Sequence, residues 1–227
     1  MNISIGLLAR RRFLPLFVTQ FLGAFNDNLF KTAMIMLVIY GIYSDPQRET
    51  AFSAIAGGLF ILPFFLLSAL SGQLADGYDK ARLIRTIKSA EIAIMVCGAA
   101  GLLLQSVPIM LLALFAMGIH STFFGPIKYA ILPQHLHEDE VLGGTGLVEA
   151  GTYFAILAGT IVGGIITPVQ SAALVLVVAV VGRLSGQKVP PAPSAAPDTV
   201  IVFHIVRSSL HLVAQTMHIR HLFLAIL

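Results

Sequence analysis

Of 227 residues, 57% are hydrophobic and only 11% are charged, where soluble domains carry about 25% charged residues; this excludes a water-soluble globular protein. A net charge of +3, a mean hydropathy of +0.89 and a single cysteine exclude a nucleic-acid binder and an internal disulfide, and they point to an integral membrane protein. Cys97 lies in an apolar stretch and reads as a buried structural thiol.

The pattern predicts an all-α membrane protein with six spans: Phe13–Tyr40, Ala51–Ser71, Ser89–Gln105, Val107–Ile127, Gly146–Thr167 and Val169–Leu184. Arg10, Arg11 and Arg12 precede the first run in the manner of a signal peptide. That run is too long and no cleavage pattern follows it, so it is read as a retained helix. At its centre stands Asn26-Asp27-Asn28, with Lys31 one turn on. A carboxylate at bilayer depth costs about 2.5–3.5 kcal/mol on insertion scales, so it is kept where it faces a polar cavity or a partner. Two readings follow: Asp27 lines a transport path, or Asp27 and Lys31 neutralise each other. The first is favoured.

In the second span, Ala54 and Gly58 are spaced for close helix packing and Pro63 for a kink. Then comes Gly72-Gln73-Leu74-Ala75-Asp76-Gly77-Tyr78-Asp79-Lys80-Ala81-Arg82. Here Gly72 suits a close approach of two helices, Asp76 can accept from a helix N-terminus or pair with an arginine, and Lys80 and Arg82 suit an anionic leaflet. Gln105 to Pro108 forms a tight connection into the fourth span, which carries His120, read as a packing residue, Pro126 and, at its end, Lys128. His135-Leu136-His137-Glu138-Asp139-Glu140 reads as a solvated acidic loop, since two histidines two residues apart do not share a helix face. No metal or other cofactor is expected. In the fifth span Ala155, Gly159 and Gly163 recur every fourth residue, a packing stripe, and Thr167-Pro168 starts the sixth.

Basic residues set the orientation. Arg10–Arg12, the stretch from Lys80 to Lys88, Lys128, Arg183 and Lys188 fall on one side, and only Arg48 on the other, which predicts a cytoplasmic N-terminus. Three regions result: a six-span unit over 1–184, a Pro-rich cytoplasmic linker over 185–200, and an amphipathic segment over 201–227 that ends as an incomplete seventh span.

The loop from Gly72 resembles the signature loop of the major facilitator superfamily, G-x-x-x-D-[RK]-x-G-[RK]-[RK]. Gly72, Asp76 and Lys80 match, while Gly77, Asp79 and Ala81 depart from it. Two further stretches are Gln20 to Lys31 and Phe124-Gly125-Pro126-Ile127-Lys128-Tyr129-Ala130-Ile131-Leu132-Pro133 with Gly144 to Thr152. With the loop they resemble the bacterial lysophospholipid transporter family, which includes versions fused to an acyltransferase and an acyl-carrier-protein synthetase. The resemblance implies the N-terminal six-helix half of a twelve-span transporter in the bacterial inner membrane, completed by a C-terminal half or a second chain. It also implies that Asp27 is the midplane acid, that Asn26 and Asn28 offer hydrogen bonds to a headgroup, and that Lys128 and Glu149 lie toward the cytoplasmic mouth. A lysophospholipid such as lysophosphatidylethanolamine would then set its amine on Asp27 or Glu149 and its phosphate on Lys31 or Lys128. Gly72, Asp76 and Lys80 would form the conformational-switch loop. The expected partners are the lipid substrate, membrane lipids and the missing half.

Three other functions compete. The chain could be the membrane part of a phospholipid acyltransferase, but no histidine has an aspartate five residues on, as general-base activation in that class requires; His135 meets Glu140 instead. It could be an effluxer of another solute on the same fold. It could also be a truncated, nonfunctional product.

Overall fold

The computed structural model describes residues 5–43 and 45–194. A 3-10 turn, Leu7–Ala9, leads to α1, Leu14–Leu37, which runs on as a π-helical turn over Val38–Ile42. The remaining helices are α2 (Pro46–Gly77), α3 (Lys80–Leu103), α4 (Val107–Ala130), α5 (Glu138–Ile165) and α6 (Pro168–Gln187), with a single turn, Leu132–His135, between α4 and α5. No strand occurs among the described residues, and six helices are long and apolar enough to span a bilayer. This is an all-α, multi-pass membrane protein.

The helix starts follow from local chemistry. Asp45 accepts the Gln47 N–H at 3.0 Å ahead of Pro46, and Asp79 accepts the Arg82 N–H at 2.7 Å to open α3. Thr167 with Gln170, and His137 with Glu140, make reciprocal caps that start α6 and α5. Packing then repeats. α1 lies between α5 and α6, α4 lies between α2 and α3, and α3 meets α6. Exchanging α1 for α4, α2 for α5 and α3 for α6 maps this pattern onto itself, a three-plus-three repeat. Glycine makes both equivalent contacts possible. A Cβ on Gly163 of α5 would lie 2.5 Å from the Leu29 carbonyl of α1, and one on Gly118 of α4 would lie 2.5 Å from the Phe60 carbonyl of α2.

Several expectations need correction. The helices outrun the apolar cores that announced them: α2 continues to Gly77, α3 begins at Lys80, and α6 ends at Gln187. The long loop thereby shrinks to Tyr78 and Asp79. Lys80 and Lys88 are not at a leaflet surface; both are buried, at 1% exposure each. Ala54 and Gly58 face outward, and α2 packs through Phe52, Ala56 and Pro63 instead. Gly72 has open space around it, and among the described residues no helix approaches there. Asp76 is exposed, and the neighbouring helix is capped by Asp79.

Lys188 and Val189 turn out of the end of α6, and residues 190–194, which form no helix, are docked. Lys80 and Ala192 pair through the Lys80 N–H to the Ala192 carbonyl at 2.9 Å, and Asp79 Oδ2 accepts the Ala192 N–H at 3.0 Å. Gln134 and His135 meet the carbonyls of Pro193 and Pro191 at 3.2 and 3.3 Å, and Ser194 donates to the Asp76 carbonyl at 3.0 Å. Val189 and Ala192 are buried beneath. The segment thus straps the basic end of the bundle, from α6 across to the α2–α3 corner. The amphipathic segment and seventh span expected over 201–227 lie outside the described residues.

Candidate functional site

The middle of α1 carries Asp27, and Ser121 of α4 donates to its Oδ2 at 2.5 Å. Its Oδ1 is buried with no hydrogen-bond partner among the described residues. Asp27 lines a cavity of about 250 Å³ between α1 and α4. Phe60 and Phe64 of α2, Lys88 of α3, and Thr152 and Ile156 of α5 complete the walls. Phe60 and Phe64 also line an apolar hollow of about 430 Å³ that runs out to Ile61 and Phe65 on the outer face of α2. The site is therefore amphipathic, polar at the bundle centre and apolar where it reaches the outer face of α2.

Of the six binding residues expected from the sequence, three line this cavity: Asp27, Asn28 and Lys128. Asn28 returns its amide to the Ala24 carbonyl at 2.9 Å, the residue one turn back. Lys128 Nζ is 3.5 Å from Thr152 Oγ1 and 3.9 Å from Glu149 Oε1. Glu149 stands beside the cavity, not in its wall, with its side chain 39% exposed. Asn26 turns away and donates to Glu91 Oε1 at 3.1 Å in the core. Lys31 forms no ion pair with Asp27; its Nζ sits over the Phe60 ring at 5.5 Å. In the signature loop, Gly72 and Asp76 are not in the cavity, and the Lys80 side chain reaches the Pro193 carbonyl at 3.4 Å.

Sequence reasoning missed the most deeply buried charges. Lys88 and Glu91 form an ion pair on α3 at 1% and 0% exposure, and His120 Nε2 lies 3.4 Å from Glu91 Oε2. The signal was present: a lysine and a glutamate three residues apart at the edge of an apolar run. Reading Lys88 as a loop charge hid it. At the basic end Arg12 grips both oxygens of Glu140 at 2.7 Å, tying the entry of α1 to the start of α5.

Residues 20–187 match the model of a family described as transmembrane secretion effector, MFS_3. Among curated proteins, the chain is similar to the lysophospholipid transporter LplT of Salmonella newport (strain SL254), 33% identical over 156 residues, covering 67% of this chain and 36% of the relative. LplT of Salmonella heidelberg (strain SL476) and of Salmonella agona (strain SL483) match to the same extent. The chain thus spans about a third of the length of these relatives.

Proposed function

Because the chain belongs to the transmembrane secretion effector family of the major facilitator superfamily, we propose that it forms one six-helix half of a transporter that moves lysophospholipid across the bacterial inner membrane. The observation that carries this reading is the amphipathic cavity. A buried carboxylate with one free oxygen, Asp27, stands at the polar end, and a phenylalanine-lined hollow opens on the outer face of α2. A lysolipid has the matching anatomy, a charged headgroup on a single acyl chain. Asp27 binds the headgroup amine, Asn28 and Lys128 line its path, and Phe60 and Phe64 face the chain. The protein transports rather than catalyses.

The basic end faces the cytoplasm, by the asymmetry of arginine and lysine. A second six-helix unit, from the same protein or another chain, covers the outward faces of α2 and closes the cavity. Gly72, Asp76 and Lys80 form the conformational-switch loop, a reading supported by the docking of the strap on Asp79 and Lys80.

The test is photocrosslinking. Lysophosphatidylethanolamine with a diazirine in its acyl chain should label α2 around Phe60 to Phe65, and excess unlabelled lysolipid should abolish that labelling. Labelling spread evenly over outward residues such as Tyr153 and Phe154 of α5, without competition, would refute the proposal. Reconstituted alone, the six-helix chain should carry no lysolipid flux, since it supplies one wall of the path.

A further inference from the structure

A buried ion pair in a membrane helix is expensive, and the Lys88–Glu91 pair is as buried as any core leucine. The sequence makes room for it. A Cβ at Gly23 of α1 would lie 3.4 Å from Lys88 Nζ, and one at Gly182 of α6 would lie 3.1 Å from it. Glu91 is held from the other side by Asn26 and His120. Yet Lys88 and His120 also line the cavity that holds Asp27.

An ammonium has three N–H donors, and Glu91 is the one acceptor that Lys88 meets among the described residues; the Phe124 ring lies 6.0 Å away. His120 Nδ1 is buried without a hydrogen-bond partner, and its ring is stacked on Phe124. One wall of the cavity therefore offers an unused carboxylate oxygen, and the other offers the unused N–H donors of Lys88 and, with the ring protonated at both nitrogens, the Nδ1–H of His120.

Resting on the lysophospholipid reading above, the geometry points to Lys88 and His120 as the residues that bind the lipid phosphate, with Glu91 and Asn26 holding them in position. Charge balance agrees. Asp27, Glu91 and Glu149 offset Lys88, Lys128 and a His120 ring protonated at both nitrogens, so a zwitterionic headgroup enters without leaving net charge in a low-dielectric site. The amine meets Asp27 and the phosphate meets Lys88 across the same cavity. Lys128, partnered by Glu149 and Thr152, is left nearer the mouth.

The test is competition against radiolabelled lysophosphatidylethanolamine bound to the complete transporter in nanodiscs. Dodecyl phosphate and dodecylamine should each displace it, and inorganic phosphate should not. The double variant Lys88→Gln/Glu91→Gln removes both charges and strands neither. It should weaken dodecyl phosphate about tenfold and change dodecylamine by less than about twofold. His120→Phe keeps the stack on Phe124 and should also weaken dodecyl phosphate selectively; it carries the test alone should the double variant fail to fold, as judged by its melting curve.

Three results would overturn the proposal while leaving the lysolipid reading intact: unchanged potency of dodecyl phosphate in the folded variants, equal loss for both competitors, or loss of phosphate selectivity in Lys128→Gln alone. Displacement by inorganic phosphate as effective as by dodecyl phosphate would make this a solute-phosphate site and overturn its lipid character. Absence of saturable lysolipid binding to the folded complete transporter would remove both readings together.

Discussion

Ser121 Oγ lies 2.5 Å from Asp27 Oδ2, so the acid of α1 is held by a hydroxyl of α4 and not by the lysine one turn along its own helix. The contact crosses the middle of the bundle, between the two helices that the internal repeat makes equivalent. It separates two explanations of the buried acid that the sequence leaves open.

Asp27→Asn is expected to preserve folded yield and to cut lysolipid uptake by the complete transporter about tenfold or more, because an amide still bonds Ser121 but lacks the charge for an amine. Lys31→Met, which alters only a contact with Phe60, should leave uptake within about twofold. Yield by size-exclusion chromatography and uptake of labelled lysolipid check both. Collapse of Asp27→Asn yield, with rescue by Lys31→Met, would restore the ion-pair explanation.

Removing one member of the deep pair should be costly. Glu91→Ala strands the Lys88 ammonium and is expected to destabilise the protein by about 3–5 kcal/mol. Lys88→Met/Glu91→Leu, which removes both charges, should recover most of that loss. Thermal melts in detergent of the two variants read the difference directly.

The glycine stripes make a paired prediction. Gly159→Val drives a side chain into the Phe25 carbonyl of α1 and should disrupt the α1–α5 contact, whereas Gly58→Val enters open space and should leave the melting temperature of this chain nearly unchanged. Equal effects at the two positions would contradict the packing described for α2.

Docking of the strap should depend on pH through His135. Burial holds its pKa below the ordinary 6.5, and the Pro191 carbonyl beside it offsets this only in part. With the segment released, His135 therefore binds more protons than with it docked as pH falls through 6.5, so docking is strongest above that value and weakens below it. Hydrogen exchange of peptides covering 188–194, corrected for intrinsic rate, should rise between about pH 7.5 and 5.5, and His135→Gln should flatten the response.

Topology follows from charge. With Cys97 replaced by serine, Tyr78→Cys and Lys188→Cys should react with an impermeant maleimide only from the cytoplasmic side, and Gln47→Cys only from outside. All three positions are exposed, so reactivity reports sidedness. Labelling of position 78 from outside would invert the assignment.

The bundle was legible because its signals are local. Apolar runs marked all six helices, Thr167-Pro168 and Val107-Pro108 marked two starts, and the Ala155-Gly159-Gly163 stripe marked a contact. What escaped depended on other helices. Nothing near Asp27 in the chain announces Ser121, and Lys88 looks like a loop charge until α3 is seen to begin eight residues earlier. The same spacing rule served in α5 and failed in α2, because it reports which faces can pack and not which neighbours arrive. The proline run was read as an extended linker, and the attachment of its described part to Asp79, Lys80 and Gln134 is a tertiary fact.

That attachment relocates a tether. The chain leaves α6 at Gln187 and is still held at Ser194, beside Asp76 at the α2–α3 corner. Anything joined beyond Ser194 therefore starts from the α2 side, with the length between 187 and 194 already spent along the surface. A shorter free leash anchored near its target raises effective concentration, into the millimolar range for short flexible links. Undocking the segment would lengthen the leash and move its origin to α6, and so dilute the same neighbour without changing a single contact that the neighbour makes.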